Sequence, residues 1–282
     1  MKNISFTILL LIILNSCVSP NYNYYQVYSA KYDNLKKNED FLEYENEFYS
    51  IKYNLWSNGG NPSFLIYNKS DKNLVINLED SYFIKNGIAY NYFKNRTYTQ
   101  SKTIGITTNN WMNGSAYVSP NNSLVLINSN STNSIGTSSN QGYSVSYIEE
   151  KYITIPPKSA KYFNEYIIND LIYRDCDLNK FPYKKDDINT LKFTKDNSPI
   201  NFSNRISLKL DGNITFNIVQ NDFYINEITN LPSREVIERK YNVNCGVKDQ
   251  LTTAYFKSSS PDKFYILYST TYSNSYIDNR KK

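Results

Sequence analysis

The chain contains no histidine, and its 282 residues include only three cysteines, two tryptophans and two methionines. Without histidine the chain cannot form a Ser-His-Asp or Cys-His nucleophile system, an HExxH zinc site or a histidine general base. A Gly-rich phosphate loop, a CxxC pair and a dinucleotide-binding fingerprint are also missing from the sequence. The sequence therefore predicts no catalytic residue, no metal site and no cofactor. It leaves open whether the chain is an enzyme, and it favours a non-enzymatic role.

Long apolar runs are absent except at the N-terminus, where Lys2 precedes an apolar run from Ile4 to Leu14. A helix of about eleven residues spans only about 16 Å, roughly half of the ~30 Å hydrocarbon thickness of a bilayer. Such a run is too short for a transmembrane helix and is typical of a signal peptide. We therefore expect residues 1–16 to be a signal peptide that is removed from the mature protein.

The segment Leu14-Asn15-Ser16-Cys17 ends this run and resembles the lipobox of bacterial lipoproteins. An aliphatic residue stands three positions before the cysteine, and a small residue stands directly before it. The resemblance implies cleavage after Ser16, diacylglycerol on the sulfur of Cys17 and a fatty acid such as palmitate on the new amino terminus. Several acyl chains together give stable attachment to a lipid bilayer, which is the first predicted partner. The alternative is a secretory signal that happens to be cleaved near a cysteine.

Two further cysteines, Cys176 and Cys245, belong to the part of the chain that would be exported. A pair of cysteines in an oxidising compartment commonly forms a disulfide. The bridge would close a loop of roughly 70 residues and contribute about 4 kcal/mol in the chain-entropy model. We therefore predict a disulfide between Cys176 and Cys245, and two buried free thiols are the alternative.

Alternating apolar residues predict short β-strands through most of the chain. Leu74, Ile76 and Leu78 are spaced by two, which places one face of a strand in the core and the other in water. Asn86-Gly87 and Asp211-Gly212 each separate two apolar runs, and these residue types favour the tight turn of a β-hairpin. Further strands are predicted at residues 48–56, 64–67, 143–148, 152–155, 206–210, 214–218 and 264–268.

Helix signals are few, and the best begins at Ser233, whose hydroxyl could cap residues 234–240 over two turns at most. Many short strands with turns between them predict a mainly β protein, an antiparallel β-sandwich of Ig-like general architecture with at most one or two short helices. Residues 17–26 have turn-rich character and are predicted to be a lipidated tether. Residues 27–282 are then predicted to form a single β-sandwich domain.

Residues 97–142 depart from this regular spacing of strands. Ser, Thr, Asn and Gly dominate there, as in the run from Asn128 to Ser134. Such a composition buries too little apolar surface to offset the entropy lost on ordering. We therefore expect a long mobile insertion in the sandwich.

Adjacent carboxylates occur at Glu79-Asp80, Glu149-Glu150 and Asp186-Asp187. Glycoside hydrolysis uses two acids that face each other across a cleft, with the carboxyl groups about 5 to 9.5 Å apart. Neighbouring residues on a strand point to opposite faces, so an adjacent pair cannot itself be this dyad. We interpret the three pairs as solvated surface charge, while acids from distant strands cannot be paired from sequence.

Two short motifs resemble functional sites but favour structural turns. Residues 260–263 spell S-x-x-K, yet Pro261 and the strand-like residues that follow predict a turn where a Ser-Lys nucleophile needs a helix. Residues 175–179 have the D-x-D-x-N spacing that opens a calcium loop, but Lys180 stands where the loop requires glycine. We therefore predict an Asx-turn at residues 175–179 and no metal site.

Trp56 and Trp111 are the two candidate ligand-contact residues. Trp56 is followed by Ser57-Asn58-Gly59-Gly60, which predicts a strand that ends at a flexible turn. Aromatic rings at such edges can stack on sugar rings or on partner proteins. Trp111 lies in the predicted insertion, and packing in the core or at its rim is the alternative role for Trp56.

Five segments of the sequence carry a family resemblance when they are taken together. They are residues 54–60 (NLWSNGG), 82–96 (YFIKNGIAYNYFKNR), 149–159 (EEKYITIPPKS), 173–178 (YRDCDL) and 225–232 (INEITNLP). Together they resemble a family of uncharacterised lipoproteins from Bacteroidetes-type bacteria. The resemblance implies a lipid-anchored protein of the bacterial cell envelope and transfers no catalytic residue. Surface-displayed lipoproteins of such bacteria often carry acidic residues just after the lipidated cysteine. Residues 18–21 contain none, so the expected location is the outer membrane, facing the periplasm.

The net charge of +5 is not clustered, so we do not expect a nucleic-acid partner. The sequence favours a membrane-anchored envelope lipoprotein that binds or scaffolds another macromolecule, either an envelope protein or a glycan. The alternative is a carbohydrate-binding protein or a histidine-free glycan hydrolase. Two carboxylates converging in a cleft would favour the alternative.

Overall fold

The computed structural model describes residues 22–104, 117–118, 124–125, 141–270 and 276–278. It confirms the mainly β class, with 56% of residues in strands and 3% in helices. The predicted signal peptide, Cys17, Trp111 and most of the predicted insertion lie outside the described residues. No helix in the described part of the chain is long and apolar enough to span a bilayer.

The strands follow one another in short segments along the chain. In chain order they are β1 (Asn23–Tyr32), β2 (Lys36–Lys37), β3 (Leu42–Glu45), β4 (Tyr49–Tyr53), β5 (Phe64–Asn68), β6 (Leu74–Lys85), β7 (Ile88–Asn91), β8 (Thr97–Ile104), β9 (Tyr117–Val118), β10 (Leu124–Val125), β11 (Gln141–Ile148), β12 (Tyr152–Ile155), β13 (Ala160–Phe163), β14 (Ile172–Arg174), β15 (Thr190–Lys192), β16 (Asn201–Leu210), β17 (Asn217–Pro232), β18 (Ile237–Asn244), β19 (Val247–Phe256), β20 (Lys263–Ser269) and β21 (Tyr276–Asp278). A single-turn helix, α1 (Ser233–Val236), separates β17 from β18, and a 3-10 turn covers Lys185–Asp187.

Two antiparallel sheets form the body of the sandwich. The eight-stranded sheet has the order β12-β6-β16-β17-β1-β20, with β7 beside β6 and β15 beside β17, and it curls into a half-barrel. The five-stranded sheet has the order β13-β5-β4-β3-β2. Smaller pairs are β8 with β11, β9 with β10, β18 with β19, and the parallel pair β14 with β21.

The hydrophobic core lies between the two sheets and draws residues from both. Tyr53 of β4 packs edge-on against Phe223 of β17, with ring centroids 5.4 Å apart. Tyr28 of β1 stacks on Phe264 of β20 at 4.6 Å, and both side chains are fully buried. Aromatic pairs of this kind add about 0.5–1.5 kcal/mol each beyond the burial of their area. The tyrosine-rich composition of the chain therefore contributes directly to the core.

Most predicted strands are confirmed. Leu74, Ile76 and Leu78 are buried in β6, as their spacing predicts. The Asn86-Gly87 turn joins β6 to β7 with φ of 48° and 80°, the left-handed values that a tight hairpin requires. The strands predicted at 64–67, 143–148, 152–155 and 264–268 coincide with β5, β11, β12 and β20 or lie within them.

The predicted hairpin at Asp211-Gly212 forms, but its second strand begins later than expected. β16 and β17 pair in antiparallel register from Leu208 opposite Asn217, and a longer connection joins them. Ile214 is 93% exposed, so its side chain does not contribute to the core as the alternation predicted. Asn217 and Ile218 at the start of β17 are exposed, and Val219 is the first buried residue of this strand.

Two boundary predictions are wrong. The tether predicted for residues 17–26 is too long, because β1 begins at Asn23 and pairs there with β17 and β20. The helix predicted for residues 234–240 ends at Val236, and Ser233 forms no side-chain cap. From Ile237 onward the chain pairs with β19, and these cross-strand hydrogen bonds override the local preference for helix.

The predicted insertion at 97–142 begins and ends in paired strands. β8 and β11 pair in register from Thr97 opposite Ile148 to Ile104 opposite Gln141. The segment therefore leaves and re-enters the body of the protein at one place, beside the edge of the sandwich. The rest of the predicted insertion is described only at 117–118 and 124–125, where β9 and β10 pair.

Candidate binding cleft

A cleft of about 740 Å³ opens between the edges of the two sheets. β12 is the last strand of the eight-stranded sheet and β13 is the last strand of the five-stranded sheet, and both line the cleft. Its volume lies within the range of small-molecule sites in proteins. We call it the clamp cleft; its lining residues are Leu78, Tyr92, Arg96, Tyr98, Tyr147, Ile148, Glu149, Glu150, Ile153, Thr154, Lys161, Tyr162, Phe163, Asn164 and Glu165.

Arg96 holds two carboxylates in this cleft, and we call Arg96, Glu149 and Glu165 the clamp. The Nη1 and Nη2 atoms of Arg96 donate to the two carboxylate oxygens of Glu165, each at 2.9 Å. Nη2 and Nε also donate to Oε1 of Glu149, at 2.5 and 3.2 Å. Bidentate pairing of this kind is the strongest geometry for a guanidinium and a carboxylate. One cation thus fixes two acids that come from different parts of the chain.

Backbone hydrogen bonds fix the clamp further. The N–H groups of Lys94 and Arg96 donate to Oε2 of Glu149 at 2.8 and 3.2 Å, and the N–H of Glu149 donates to the carbonyl of Arg96 at 2.8 Å. These hydrogen bonds between Arg96 and Glu149 lie next to the pair formed by Thr97 at the start of β8 and Ile148 at the end of β11. The clamp therefore stands at the base of the β8–β11 strand pair.

The ionisation of the clamp follows from these contacts. Burial acts to raise the pKa of Glu149 and of Glu165, but the hydrogen bonds and positive charge of Arg96, together with the contacts of Lys94, outweigh it, and the pKa of each carboxyl lies below the ordinary 4.5. The hydrogen bonds that Arg96 donates to both carboxylates raise the pKa of Arg96. All three groups are charged at neutral pH, since each charged form is stabilised by its neighbours.

The clamp carboxylates do converge in a cleft, which was the observation expected to favour carbohydrate handling. They do not resemble the dyad of a glycoside hydrolase, however. The general acid of such a dyad needs a raised pKa, whereas the pKa of both Glu149 and Glu165 is lowered. A guanidinium also occupies the space that a substrate would need between the two acids. The clamp is suited to binding a polar ligand or to supporting the cleft.

Two tyrosines stand beside the clamp at the mouth of the cleft. Tyr98 and Tyr147 lie opposite each other on β8 and β11, and their rings stack with centroids 5.2 Å apart and planes at 19°. The guanidinium carbon of Arg96 lies 5.4 Å from the Tyr98 ring. Tyr147 is 57% exposed. An exposed aromatic face beside fixed polar groups can stack on a sugar ring or on an apolar side chain of a partner.

A second cleft of about 420 Å³ adjoins the first, because both include Asn164 and Glu165. Tyr166 stacks on Phe83 there at 5.1 Å. Lys85 also lines it, and burial lowers the pKa of this lysine. The two clefts give the edge of the sandwich a continuous concave surface with aromatic and charged walls.

Trp56, a predicted ligand-contact residue, lies away from the clamp cleft. Its ring packs edge-on against Phe256 at 5.1 Å and against Tyr265 at 5.2 Å. Its Nε1 is buried and has no hydrogen-bond partner among the described residues. The surroundings of Trp56 therefore agree with the alternative role, packing at the rim of the core.

The glycine pair after Trp56 does not form the flexible turn that was predicted. Gly59 and Gly60 are buried, and the N–H of Gly59 donates to the carbonyl of Tyr265 at 2.8 Å. The N–H groups of Ile168 and Asn169 donate to the carbonyls of Gly60 and Gly59 at 3.1 and 2.8 Å. The segment is a fixed crossing point of three parts of the chain, because only glycine leaves room for these backbones to approach.

The predicted disulfide is not formed, and Cys176 and Cys245 are free and exposed. Cys176 lies in the loop after β14, whereas Cys245 stands at the tip of the β18–β19 hairpin with φ of 50°. The two thiols belong to separate surface features, which explains why no bridge closes between them. The alternative of two buried thiols is also wrong.

The remaining motifs behave as structural elements. The N–H of Asp177 donates to Oδ1 of Asp175 at 2.9 Å, which confirms the predicted Asx-turn. The N–H of Lys263 donates to the carbonyl of Ser260 at 3.0 Å, which confirms the turn predicted for the S-x-x-K motif. No group of three or more acidic or cysteine residues in the described part of the chain is arranged to hold a metal ion.

Two other adjacent acid pairs lie at the surface. Glu79 pairs with Lys151 at 2.9 Å, with both side chains about half exposed. Asp187 accepts a hydrogen bond from the backbone N–H of Lys184 at 2.8 Å in the 3-10 turn. In the remaining pair, Glu149-Glu150, Glu149 is the member that forms the ion pairs of the clamp.

Comparisons of this chain with models of protein families, with curated proteins and with solved structures find no match.

Proposed function

We propose that this chain is a lipid-anchored lipoprotein of the bacterial cell envelope, held in the outer membrane and facing the periplasm. We further propose that it is a non-enzymatic binding module and that its ligand, an envelope protein or a glycan, enters the clamp cleft. The signal-peptide pattern and the lipobox resemblance around Cys17 support the anchor. The cleft between the sheet edges supports the binding role.

One observation carries the binding role. Both carboxylates of the clamp are hydrogen-bonded to Arg96, yet the clamp lies beside exposed tyrosine rings in an open cleft. Such an arrangement is rigid before a ligand arrives, so little entropy is lost on binding. The clamp has one cation and two carboxylates, and Lys94, whose Nζ lies 3.2 Å from Oε2 of Glu165, balances the remaining negative charge. This local balance suits a ligand that offers hydroxyl or amide groups and has no strong net charge.

Fatty-acid labelling tests the anchor. Cells that express the chain are grown with an alkyne-modified palmitate, and the purified chain is examined for incorporated label. We expect the natural chain to be labelled and the Cys17→Ala variant to lose all label, because the thiol of Cys17 carries the diacylglycerol that lipoprotein maturation requires.

The two exposed cysteines provide matched controls for this experiment. The Cys176→Ala and Cys245→Ala variants are expected to keep the full label, since these thiols lie in the folded domain. Label that persists in Cys17→Ala and disappears in Cys176→Ala or Cys245→Ala would contradict the proposed anchor.

Carbohydrate binding is the second candidate function, and the Tyr98–Tyr147 pair favours it. Sugar-binding sites combine an aromatic face with planar polar side chains that hydrogen-bond to hydroxyl groups, and the clamp cleft holds both within one wall. The clamp acids do not favour hydrolysis, because the lowered pKa of both carboxyls keeps them ionised at neutral pH.

A glycan array tests this second candidate. We expect the purified chain to bind a subset of oligosaccharides and the Tyr147→Ala variant to bind them about tenfold more weakly, since a stacked ring contributes on the order of 1–1.5 kcal/mol. Tyr183→Ala is the matched control, because Tyr183 is similarly exposed at 63% but lies outside the cleft. Equal binding by the Tyr147→Ala and natural chains would show that the sugar does not bind in the clamp cleft.

A further inference from the structure

The β18–β19 hairpin, residues 237–256, is a separate two-stranded feature that we call the arm. In the part of the chain that the structure describes, its strands form a sheet only with each other. Cys245 and Gly246 form the turn at its tip with φ of 50° and 81°. The arm is eight residues long on its first strand, so it extends about 26 Å.

The arm exposes apolar side chains along its length and at its tip. Val243, Val247 and Leu251 are 67%, 71% and 82% exposed. Val247, Leu251 and Tyr255 are spaced so that they share one face of β19, whereas Val243 stands opposite Lys248 and lies on the other face of the arm. A two-stranded hairpin has little stability of its own in water, and contiguous exposed apolar surface commonly marks a contact with a partner or a membrane.

The base of the arm lies where the chain leads to the proposed anchor. β17 ends at Pro232, which stands opposite Tyr24 at the start of β1, and the arm follows one helical turn later. Phe256 at the other end of the arm packs against Tyr25 at 6.0 Å. Asn23 follows Cys17 by six positions, a span of at most about 20 Å. A membrane that holds Cys17 is therefore within the reach of an arm of this length.

The side chains at the tip suit the headgroup region of a bilayer. Residues 243–249 contain one lysine and one acid, Lys248 and Asp249, so the tip carries no net charge. The Nζ of Lys248 lies 4.0 Å from the centre of the Tyr241 ring. A lysine and a tyrosine beside apolar residues form the pattern found at membrane interfaces, where polar ends remain in the headgroup region.

We propose that the arm is a second membrane contact, and that Val247 and Leu251 enter the interfacial region of the bilayer that carries Cys17. This inference rests on the proposed lipid anchor. The arm would fix the orientation of the domain on the membrane, because two attachment points restrict rotation more than one flexible tether. The clamp cleft would then keep a defined direction relative to the membrane.

The thiol of Cys245 allows a direct test in the full lipidated chain. A Cys176→Ala variant leaves Cys245 as the thiol available to an environment-sensitive fluorophore, because Cys17 carries lipid. The labelled chain is reconstituted in vesicles of phosphatidylcholine and phosphatidylglycerol that contain a brominated lipid, whose bromine atoms quench a fluorophore that enters the bilayer. We expect quenching of the fluorophore in the natural arm and its loss in the Val247→Glu/Leu251→Glu variant, while both chains float with the vesicles.

Ile214→Glu is the matched control, because Ile214 is 93% exposed and lies near the far end of β17 from the arm. It is expected to leave the quenching unchanged.

A fluorophore on Cys245 that remains unquenched in a chain that floats would overturn the arm inference and leave the anchor intact. Fluorescence that changes only with protein concentration would instead assign the arm to a second copy of the chain. A chain that does not float and whose Cys17 takes up the fluorophore would overturn the anchor and, with it, the inference.

Discussion

Replacing Arg96 with methionine is expected to lower the free energy of unfolding by about 2–3 kcal/mol at pH 7. The methionine keeps most of the side-chain volume but removes the cation that pairs with Glu149 and one of the two cations that pair with Glu165, the other being Lys94 at 3.2 Å. Glu149 is 7% exposed and Glu165 is 24% exposed, so neither charge is well solvated. The expected loss lies between that of an exposed ion pair and that of a fully buried one. Chemical denaturation followed by circular dichroism measures it.

The effect of Arg96→Met depends on pH in a defined direction. The pKa of Glu149 and of Glu165 is lowered in the folded chain, so their contribution to stability is present above pH 4.5 and is lost as pH falls through the folded pKa. The difference between the natural chain and Arg96→Met should therefore be large at pH 7 and shrink below about pH 4. A difference that stays constant from pH 7 to pH 3 would show that the clamp does not act through these charges.

Lys195→Met is the matched control for the clamp variant. Lys195 pairs with Asp33 at 3.2 Å, and both side chains are about 60% exposed. Solvent screens such a pair, so its loss is expected to change the free energy of unfolding by less than about 0.5 kcal/mol. The comparison separates the buried geometry of the clamp from the general effect of removing one positive charge.

Replacing Gly60 with alanine is expected to lower the free energy of unfolding by about 3–4 kcal/mol. Gly60 has φ of 75°, and an added Cβ would stand 2.8 Å from side-chain atoms of both Ile168 and Phe264. The left-handed backbone costs about 1–2 kcal/mol for alanine, and the overpacking costs a further 1–3 kcal/mol. Thermal unfolding is expected to show a decrease in Tm of roughly 10 °C.

Gly212→Ala provides the matched control for this effect. Gly212 has φ of 90°, but nothing lies within 4 Å of an added Cβ. Only the backbone strain applies there, so the expected loss is about 1–2 kcal/mol. Equal losses for the two variants would show that the contacts of Gly60 with Ile168 and Phe264 are not tight in solution.

The strands could be predicted from sequence because their pattern is local. Leu74, Ile76 and Leu78 alternate with polar or partly exposed residues, and the Asn86-Gly87 turn has a chemical signature within two residues. Residues 152–155 match β12 along its whole length. Such signals report the period of the backbone directly, so they need no knowledge of the rest of the chain.

The clamp could not be predicted, because its members are distant in sequence. Arg96 is separated by 53 residues from Glu149 and by 69 residues from Glu165. Glu149 was recognised only as one of an adjacent pair, and no local pattern distinguishes Arg96 or Glu165 from other surface charges. Their meeting depends on the pairing of β8 with β11 and on the turn from β12 to β13, which bring the three residues to one sheet edge.

Cross-strand pairing also explains the helix that was predicted too long. Residues 234–240 contain good helix formers, yet β18 gains cross-strand hydrogen bonds and side-chain neighbours from β19. The same arm places Cys245 at an exposed tip, which explains the failure of the disulfide prediction. Both errors follow from one feature, the β18–β19 hairpin, because the helix formers of residues 234–240 concealed its first strand and its turn at Cys245-Gly246 was not recognised.

The proposed lipid anchor makes the arm and the clamp cleft parts of one functional arrangement. β1 begins six residues after Cys17 and lies between β17 and the edge strand β20 in the eight-stranded sheet. Only a short connection would thus separate the anchor from the folded domain. A short connection and a second membrane contact would both limit the directions that the cleft can face.

The N-terminus of the mature protein tests the central claim most directly. The chain is extracted from the membrane fraction, digested, and its N-terminal peptide is analysed by mass spectrometry. We expect a peptide that begins at Cys17 and carries both a diacylglyceryl group on sulfur and a fatty acid on the amino group. A mature chain recovered from the soluble fraction with an unmodified residue 17 would contradict the lipoprotein account.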